Sequence, residues 1–124
     1  MTDQQINARK REIDRLLMAR NGGDFCGCAQ FATPEEQREY EELNLREMIN
    51  SDFCYGDSSC RGIYDDRTGK WNERYGFPYA EKIGLKRALE VFNEQRAFLR
   101  EHAERRCRVY TDHEGCTYNS LVWK

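Results

Sequence analysis

The chain contains little proline and little histidine, and it has no long apolar run. Each of the two residue types occurs twice in 124 residues, and no stretch approaches the ~20 consecutive apolar residues that a membrane span requires. Residues 1–20 carry too many charges for the apolar segment of a signal peptide. Low-complexity tracts and interdomain linkers are also lacking. We therefore expect one domain, residues 1–124, in the cytoplasm.

The composition that remains is polar but compatible with a packed core. Hydrophobic residues make up 39% of the chain and charged residues 34%, a mixture that can fold. The formal net charge is only −2, which argues against a protein that binds phosphates over its whole surface.

Hydrophobic periodicity predicts an α+β fold that is predominantly helical. Apolar residues recur at spacings of three and four over residues 3–20, 34–50 and 79–106, which indicates three helices. Two small β-hairpins are expected at residues 62–72 and 107–122. The long third helix would then be the element against which the others bury their apolar faces.

Local signals fix some of these elements. Thr33, Pro34 and Glu36 fit the N-cap, the first helical position and the third position of a capping box, so the second helix should begin there. Gly69 ends the segment between the strands of the first hairpin and can adopt the positive φ of a short turn. Gly84 weakens the start of the third helix by up to ~1 kcal/mol relative to alanine.

Six cysteines need an explanation in a chain of this kind. Four of them form two clusters, Cys26 with Cys28 and Cys54 with Cys60, which we expect in glycine-containing loops just after a helix. Four thiolates from two loops suit the tetrahedral coordination of zinc, and such a site would be structural because no position is left for water. Buried free thiols and disulfides are the alternatives.

The two cysteine clusters also share a short sequence. Asp24-Phe25-Cys26 follows the first helix and Asp52-Phe53-Cys54 follows the second. This likeness suggests that each phenylalanine is buried and that each cysteine faces a common point.

The remaining cysteines, Cys107 and Cys116, lie near His102 and His113, so a second metal site is an open alternative. In a hairpin that closes on residues 112–115, however, Cys107 lies opposite Ser120 and both thiols share one face of the hairpin. We therefore interpret them as small core residues.

An aromatic segment is the first candidate contact surface. Arg74, Tyr75, Phe77 and Tyr79 fall within six residues, and these residue types are enriched at the centres of protein interfaces. The alternative is that Phe77 and Tyr79 only pack the start of the third helix.

The second helix is the other candidate contact surface because it is strongly acidic. Between residues 33 and 66 there are ten acidic residues against three arginines, whereas residues 84–110 carry seven basic residues against four acidic ones. Carboxylates such as Glu35, Glu39 and Glu42 could take the place of phosphates in a basic groove of a partner protein. The alternative is a solvated helix surface with ion pairs between residues four apart.

No catalytic motif is present, so we predict a protein that is not an enzyme. The chain lacks GxSxG, GxxxxGK[ST], HExxH and the HxE…PCxxC pattern of zinc deaminases. We predict a small cysteine-rich regulator or inhibitor that binds a larger protein or nucleoprotein stoichiometrically, by analogy with the anti-defence proteins of phages and mobile elements. The alternatives are a zinc-stabilised nucleic-acid-binding module and a structural subunit of an assembly such as a virion.

Overall fold

The computed structural model describes residues 1–111 and 115–124. In this part of the chain four α-helices and two antiparallel hairpins confirm the predicted α+β class, and helices predominate. The elements in chain order are α1 Asp3–Arg20, a short 3₁₀ helix Cys28–Phe31, α2 Pro34–Tyr55, β1 Tyr64–Asp65, β2 Lys70–Trp71, α3 Phe77–Ile83, α4 Leu85–His102, β3 Ala103–Thr111 and β4 Thr117–Trp123.

The bounds predicted for α1 are confirmed. Thr2 is its N-cap, since the Thr2 hydroxyl accepts a hydrogen bond from the backbone N–H of Gln5 at 3.2 Å, and the Gln5 side chain accepts one from the Thr2 N–H at 2.8 Å. At the other end Gly22 and Gly23 adopt φ values of 64° and 90°. These left-handed conformations stop the helix because glycine adopts them without steric cost.

The predicted capping box of α2 is also confirmed, but the helix is five residues longer than expected. Thr33 and Glu36 hydrogen-bond each other's backbone N–H groups at 3.1 and 2.9 Å. The helix then continues through residues 51–55 to Gly56, because no glycine or proline interrupts it there. Cys54 therefore lies on a helix, and its predicted place in a loop is wrong.

The single helix expected at residues 79–106 is replaced by two helices and the start of a strand. Gly84 has φ 102° and ψ 130°, so the chain turns there and α3 and α4 are separate helices. The chain then leaves the helical conformation at Ala103, with φ −103° and ψ 140°. Hydrophobic periodicity did not predict this end of the helix. Ala103 is buried as part of β3, but in the sequence it also fits the spacing of the apolar residues of the helix.

The first hairpin is confirmed. Tyr64 pairs with Trp71 and Asp65 with Lys70, and Gly69 adopts φ 70° at the expected place. Tyr64 and Trp71 both approach the ring of Phe92, with centroid distances of 5.3 and 6.1 Å. The hairpin thus packs its aromatic residues onto α4.

The second hairpin has a register one residue away from the predicted one. Cys107 pairs with Leu121 instead of Ser120, and Thr111 pairs with Thr117. A bulge between Glu104 and Cys107 adds two residues to β3, so that Ala103 and Cys107 both pack against the core. Periodicity does not reveal such a bulge, and the predicted turn lies mostly outside the described residues.

Buried side chains form two hydrophobic clusters. The main core lies between α2, α3, α4 and the second hairpin and consists of Leu45, Ile49, Phe53, Cys60, Ile63, Ala80, Ile83, Ala88, Val91, Phe92, Leu99, Ala103 and Leu121. The smaller cluster, called here the α1 cluster, consists of Ile6, Ile13, Leu17, Cys28 and Leu43. Within residues 1–111 and 115–124, no helix combines the length and the hydropathy that crossing a bilayer would demand.

A buried polar network joins α1 to the main core. The Gln95 amide, which is completely buried, donates hydrogen bonds to the Met1 carbonyl at 2.8 Å and to the Asn50 amide oxygen at 2.7 Å. Arg46 donates to the Gln95 oxygen at 3.1 Å, and Asn50 donates to Asp3 at 2.8 Å. Because each of these buried groups has a partner, the network fixes the start of α1 against α2 and α4.

Candidate binding groove and cysteine sites

A groove of about 950 Å³ runs between α1, the 3₁₀ helix and the N-terminal half of α2. It is at the upper end of the range for ligand pockets, roughly 300–1,000 Å³. More of its surface is apolar than polar. The apolar contribution comes from Ile13, Leu17, Phe25, Ala29, Ala32, Pro34 and the ring of Tyr40.

The loop at one rim of the groove is held in shape by hydrogen bonds. The Asn21 side chain donates to the carbonyls of Asp24 and Cys26 at 3.0 and 2.9 Å. The Cys26 N–H donates to the Asp24 carboxylate at 3.0 Å, and Gly27 adopts φ 77° before the 3₁₀ helix begins. This loop is therefore preorganised, which lowers the entropy cost of binding at the rim.

Phe25 is exposed on this loop, and its predicted burial is wrong. Its relative exposure is 62%, whereas Phe53 of the matching sequence is buried at 2%. The two segments differ because a glycine pair stops α1 before Phe25, while α2 continues past Phe53. Nearby, Leu16 and Phe31 are 48% and 41% exposed, so the segment of residues 16–31 presents an unusual amount of apolar surface.

Two of the acidic residues that line the groove are paired with cations of the same protein. Arg20 contacts Glu36 at 2.5 Å, and this guanidinium, with the hydrogen bonds to Thr33, lowers the pKa of Glu36 to about 2. Glu41 and Lys82 lie 3.7 Å apart. These two acids are thereby neutralised. The remaining ionic residues of the lining, Asp14 and Arg38, have opposite charges, so the rim offers little net charge to a ligand.

Tyr40 contributes its ring to the groove and keeps a neutral hydroxyl. Burial, assisted by the neighbouring Asp14 carboxylate, raises the pKa of Tyr40 above its usual range. The amino group of Lys10 lies 5.2 Å from the ring centroid. This wall of the groove is thus an aromatic surface with one hydrogen-bonding group.

The structure does not bring the four predicted zinc ligands to one point. Cys26 is exposed, Cys28 is buried in the α1 cluster, and Cys60 is buried in the main core. Cys54 is bonded to Cys107. Among residues 1–111 and 115–124, no group of three or more His, Cys, Asp or Glu residues is placed to hold a metal ion. Zinc binding itself stays a prediction.

Cys60 is instead a buried thiol of the main core. Its Sγ atom donates to the Ile49 carbonyl at 3.6 Å. Burial raises the pKa of Cys60 to about 12, with a smaller contribution from the carboxylates of Asp52 and Asp57. The thiol is therefore protonated and unreactive at neutral pH.

The Cys54–Cys107 disulfide joins the last turn of α2 to β3. The two Cα atoms are 5.8 Å apart, within the usual range for a disulfide. The interpretation of Cys107 and Cys116 as small core residues is therefore right in part. Cys107 packs against the main core but as a bonded cysteine, whereas Cys116 is exposed. Of the two histidines, His102 stacks on Phe98 with centroids 4.6 Å apart, and His113 lies outside the described residues.

A second pocket, of about 200 Å³, lies beside this disulfide. Cys54 lines it together with Ser51 of α2 and Asn119 of β4. The ionic groups in its lining are two carboxylates, Asp3 and Glu47. It is therefore a small pocket that carries two carboxylates and has one cysteine of the disulfide in its wall.

The aromatic segment predicted as a contact surface is divided between surface and core. Tyr75 and Phe77 are 45% and 41% exposed, and the Arg74 guanidinium lies 5.4 Å from the Tyr75 ring centroid. Tyr79 packs against the main core, as the alternative interpretation expected. The groove lining includes none of these four residues, and their role in binding stays a prediction.

The acidic residues predicted to meet a partner mostly hold the helices together. Glu39 contacts Arg9 of α1 at 2.7 Å, and Glu42 contacts Arg87 of α4 at 2.5 Å. Glu35 lies exposed in the first turn of α2. The carboxylates of α2 thus form ion pairs with other helices more than the expected ion pairs with residues four positions away on the same helix.

The groove was not predicted from the sequence, and disulfides were an alternative for the cysteines with no pairing assigned. The glycine pair at residues 22–23, followed by the single Gly27, was a usable signal for a loop that leaves Phe25 outside the core. The pairing of Cys54 with Cys107 had no local signal, because the two are separated by 53 positions in sequence.

No protein-family model matches the chain, and comparisons with curated proteins and with solved structures find no similar protein. The evidence for function therefore comes from the surfaces described above.

Proposed function

We propose that the protein is a non-enzymatic regulator or inhibitor that binds a larger protein, and that its groove holds an amphipathic helix of that partner. The observation that supports this most directly is the apolar groove of about 950 Å³ with an exposed, preorganised Phe25 at its rim. Exposed aromatics beside apolar pockets are typical centres of binding energy in protein interfaces.

The shape of the groove favours a helix as its occupant. Two of its walls are the helices α1 and α2. A partner helix with apolar residues at i, i+3, i+4 and i+7 can bury them in such a groove. Each large apolar side chain that is buried contributes about 1.5–3 kcal/mol. Three or four such residues are enough for a micromolar complex only if few protein groups lose conformational freedom on binding. The loop that carries Phe25 meets this condition because hydrogen bonds already hold its conformation.

The charges favour an apolar partner segment over a nucleic acid. Two acids at the groove rim, Glu36 and Glu41, are paired with Arg20 and Lys82. On α4, the helix expected to be basic, Arg87 and Arg96 contact Glu42 and Asp66 at 2.5 and 2.9 Å. Phosphate binding would require these cations to leave their carboxylates, so binding through the groove should change little with salt.

Selection of peptides tests the proposal. A displayed library of helical peptides is selected on the purified protein, and the selected peptides are measured against three variants by calorimetry. Ala29→Trp fills the groove and Phe25→Ser removes the rim aromatic, and each should weaken binding at least tenfold. Tyr75→Ser, the matched loss of an exposed aromatic outside the groove, should leave the affinity unchanged.

Other results would contradict the groove. Equal losses at Tyr75 and Phe25 would assign binding to the aromatic segment, and unchanged affinity in Ala29→Trp would exclude the groove as the peptide site. A steep fall of nucleic-acid affinity with salt would support the nucleic-acid module instead, and self-association in light scattering would support an assembly subunit. Native mass spectrometry with and without a chelator tests zinc.

A further inference from the structure

We propose that the Cys54–Cys107 disulfide is a reversible redox site, that small neutral or cationic thiols attack it at Cys54 through the adjacent pocket, and that its reduction releases the β3–β4 hairpin from α2. This inference does not depend on the function of the groove. It rests on the position of Cys54 in the lining of a pocket, the charges of that pocket and the elements that the bond joins.

Access favours Cys54 over Cys107 as the attacked atom. Cys54 lines the pocket of about 200 Å³, whereas Cys107 is not part of its lining. The pocket has room for the reactive end of a small thiol, and its opening lies between α1, α2 and β4. A small thiol that enters this pocket therefore meets Cys54 and not Cys107.

The exchange proceeds in two balanced steps. The thiolate of a small thiol attacks the Cys54 Sγ atom, the bond to Cys107 breaks, and Cys107 leaves with the electron pair as a thiolate that water protonates. A second thiolate attacks the outer sulfur of the mixed disulfide and releases Cys54 as a thiolate. The protein gains two electrons and two protons, and two thiols become one small-molecule disulfide.

The pocket should select thiols by charge. Its two ionic groups are the carboxylates of Asp3 and Glu47. Lys10 contacts Glu47 at 2.8 Å, whereas the partners of Asp3 in its side-chain hydrogen bonds are the uncharged Asn50 and Ser120, at 2.8 and 3.2 Å. An anionic thiol is therefore repelled and a cationic one attracted.

The bond also holds the hairpin against α2. Leu121 packs into the main core directly opposite Cys107, and Ser120 donates to Asp3 of α1. These contacts remain after reduction, but the covalent connection to α2 is lost. Reduction should thus loosen the hairpin without unfolding α4.

Three small thiols of similar size and different charge test the site. The probes are cysteamine (positive), 2-mercaptoethanol (neutral) and 3-mercaptopropionate (negative), each at equal thiolate concentration on the folded Cys26→Ser protein. Each rate is divided by the rate of the same thiol on the urea-unfolded protein, which removes intrinsic reactivity. Cysteamine should react about fivefold faster than 3-mercaptopropionate, as expected for one carboxylate roughly 8 Å away in a hydrated pocket and probes that differ by two charges.

Variants and mapping complete the test. Asp3→Asn should reduce the charge preference to less than about twofold, and Glu47→Gln should reduce it less. Mass spectrometry should find the mixed disulfide on Cys54. A mixed disulfide on Cys107, or a preference that neither variant changes, would overturn the pocket as the route of attack.

Hydrogen exchange tests the release of the hairpin. Exchange at residues 117–123 should accelerate at least tenfold after reduction, while exchange at residues 88–99 of α4 should stay the same. Equal protection of the hairpin in both redox states would overturn its release.

Discussion

The two hydrophobic clusters of this protein are built in different ways. The main core gathers side chains from three helices, two hairpins and a loop, and none of its buried residues lines the groove. The α1 cluster has five buried residues and borders an open groove. A closed cluster gives stability, whereas a cluster left open on one side retains apolar surface for another molecule to cover.

The attachment of α1 reflects this difference. Besides its few apolar contacts, α1 is held by polar ones, including Arg9 to Glu39 and Lys10 to Glu47 at 2.7 and 2.8 Å. The network around Gln95 adds buried hydrogen bonds at its N-terminus. The helix can therefore keep its position while one side of its apolar face lines the groove.

A matched pair of isoleucines tests this contrast, and the main-core member should have the largest effect. Ile49 is 0% exposed in the main core and Ile13 is 1% exposed beside the groove. Ile49→Ala should lower the free energy of unfolding by about 4 kcal/mol because it leaves an enclosed cavity. Ile13→Ala should cost only about 2 kcal/mol, since the space it leaves opens into the groove. Urea unfolding measures both, and equal costs would contradict the contrast.

Removal of the disulfide should have the next largest effect. The double substitution Cys54→Ala with Cys107→Ala removes a cross-link between residues 53 positions apart. It should lower the free energy of unfolding by about 2–4 kcal/mol. Cys26→Ala, which removes an exposed thiol of the groove rim, is the control and should change stability by less than about 0.5 kcal/mol. A double variant as stable as the control would mean that the bond does not constrain the chain.

The smallest expected effect, counted per pH unit, is a loss of stability in alkali that depends on Cys60. In the unfolded chain its thiol ionises near pH 8.5, whereas in the folded protein its pKa is about 12. Between these values the unfolded state releases a proton that the folded state keeps, so stability falls as pH rises, by at most about 1.4 kcal/mol per pH unit. Cys60→Ala should flatten this slope in urea titrations at pH 8–11, and Cys26→Ser should not.

The sequence predicted the parts of the fold that depend on interactions between residues close together in the chain. Thr33 with Glu36, and Gly69 in the first hairpin, act on residues a few positions away, and both predictions are confirmed. The break at Gly84 and the strand at Ala103 depend on packing against α2 and β4, where an apolar residue fits a helix or a strand equally well. The candidate site escaped prediction for the same reason, because the groove arises only when α1 lies on α2.

The most direct test of the central claim is the mapping of a selected peptide on the protein by amide chemical shifts. The account predicts that the largest shifts fall on residues 13–17, 25–32 and 34–41, with little change at residues 74–79. The largest shifts at residues 74–79, or shifts confined to α4, would contradict the groove as the binding surface.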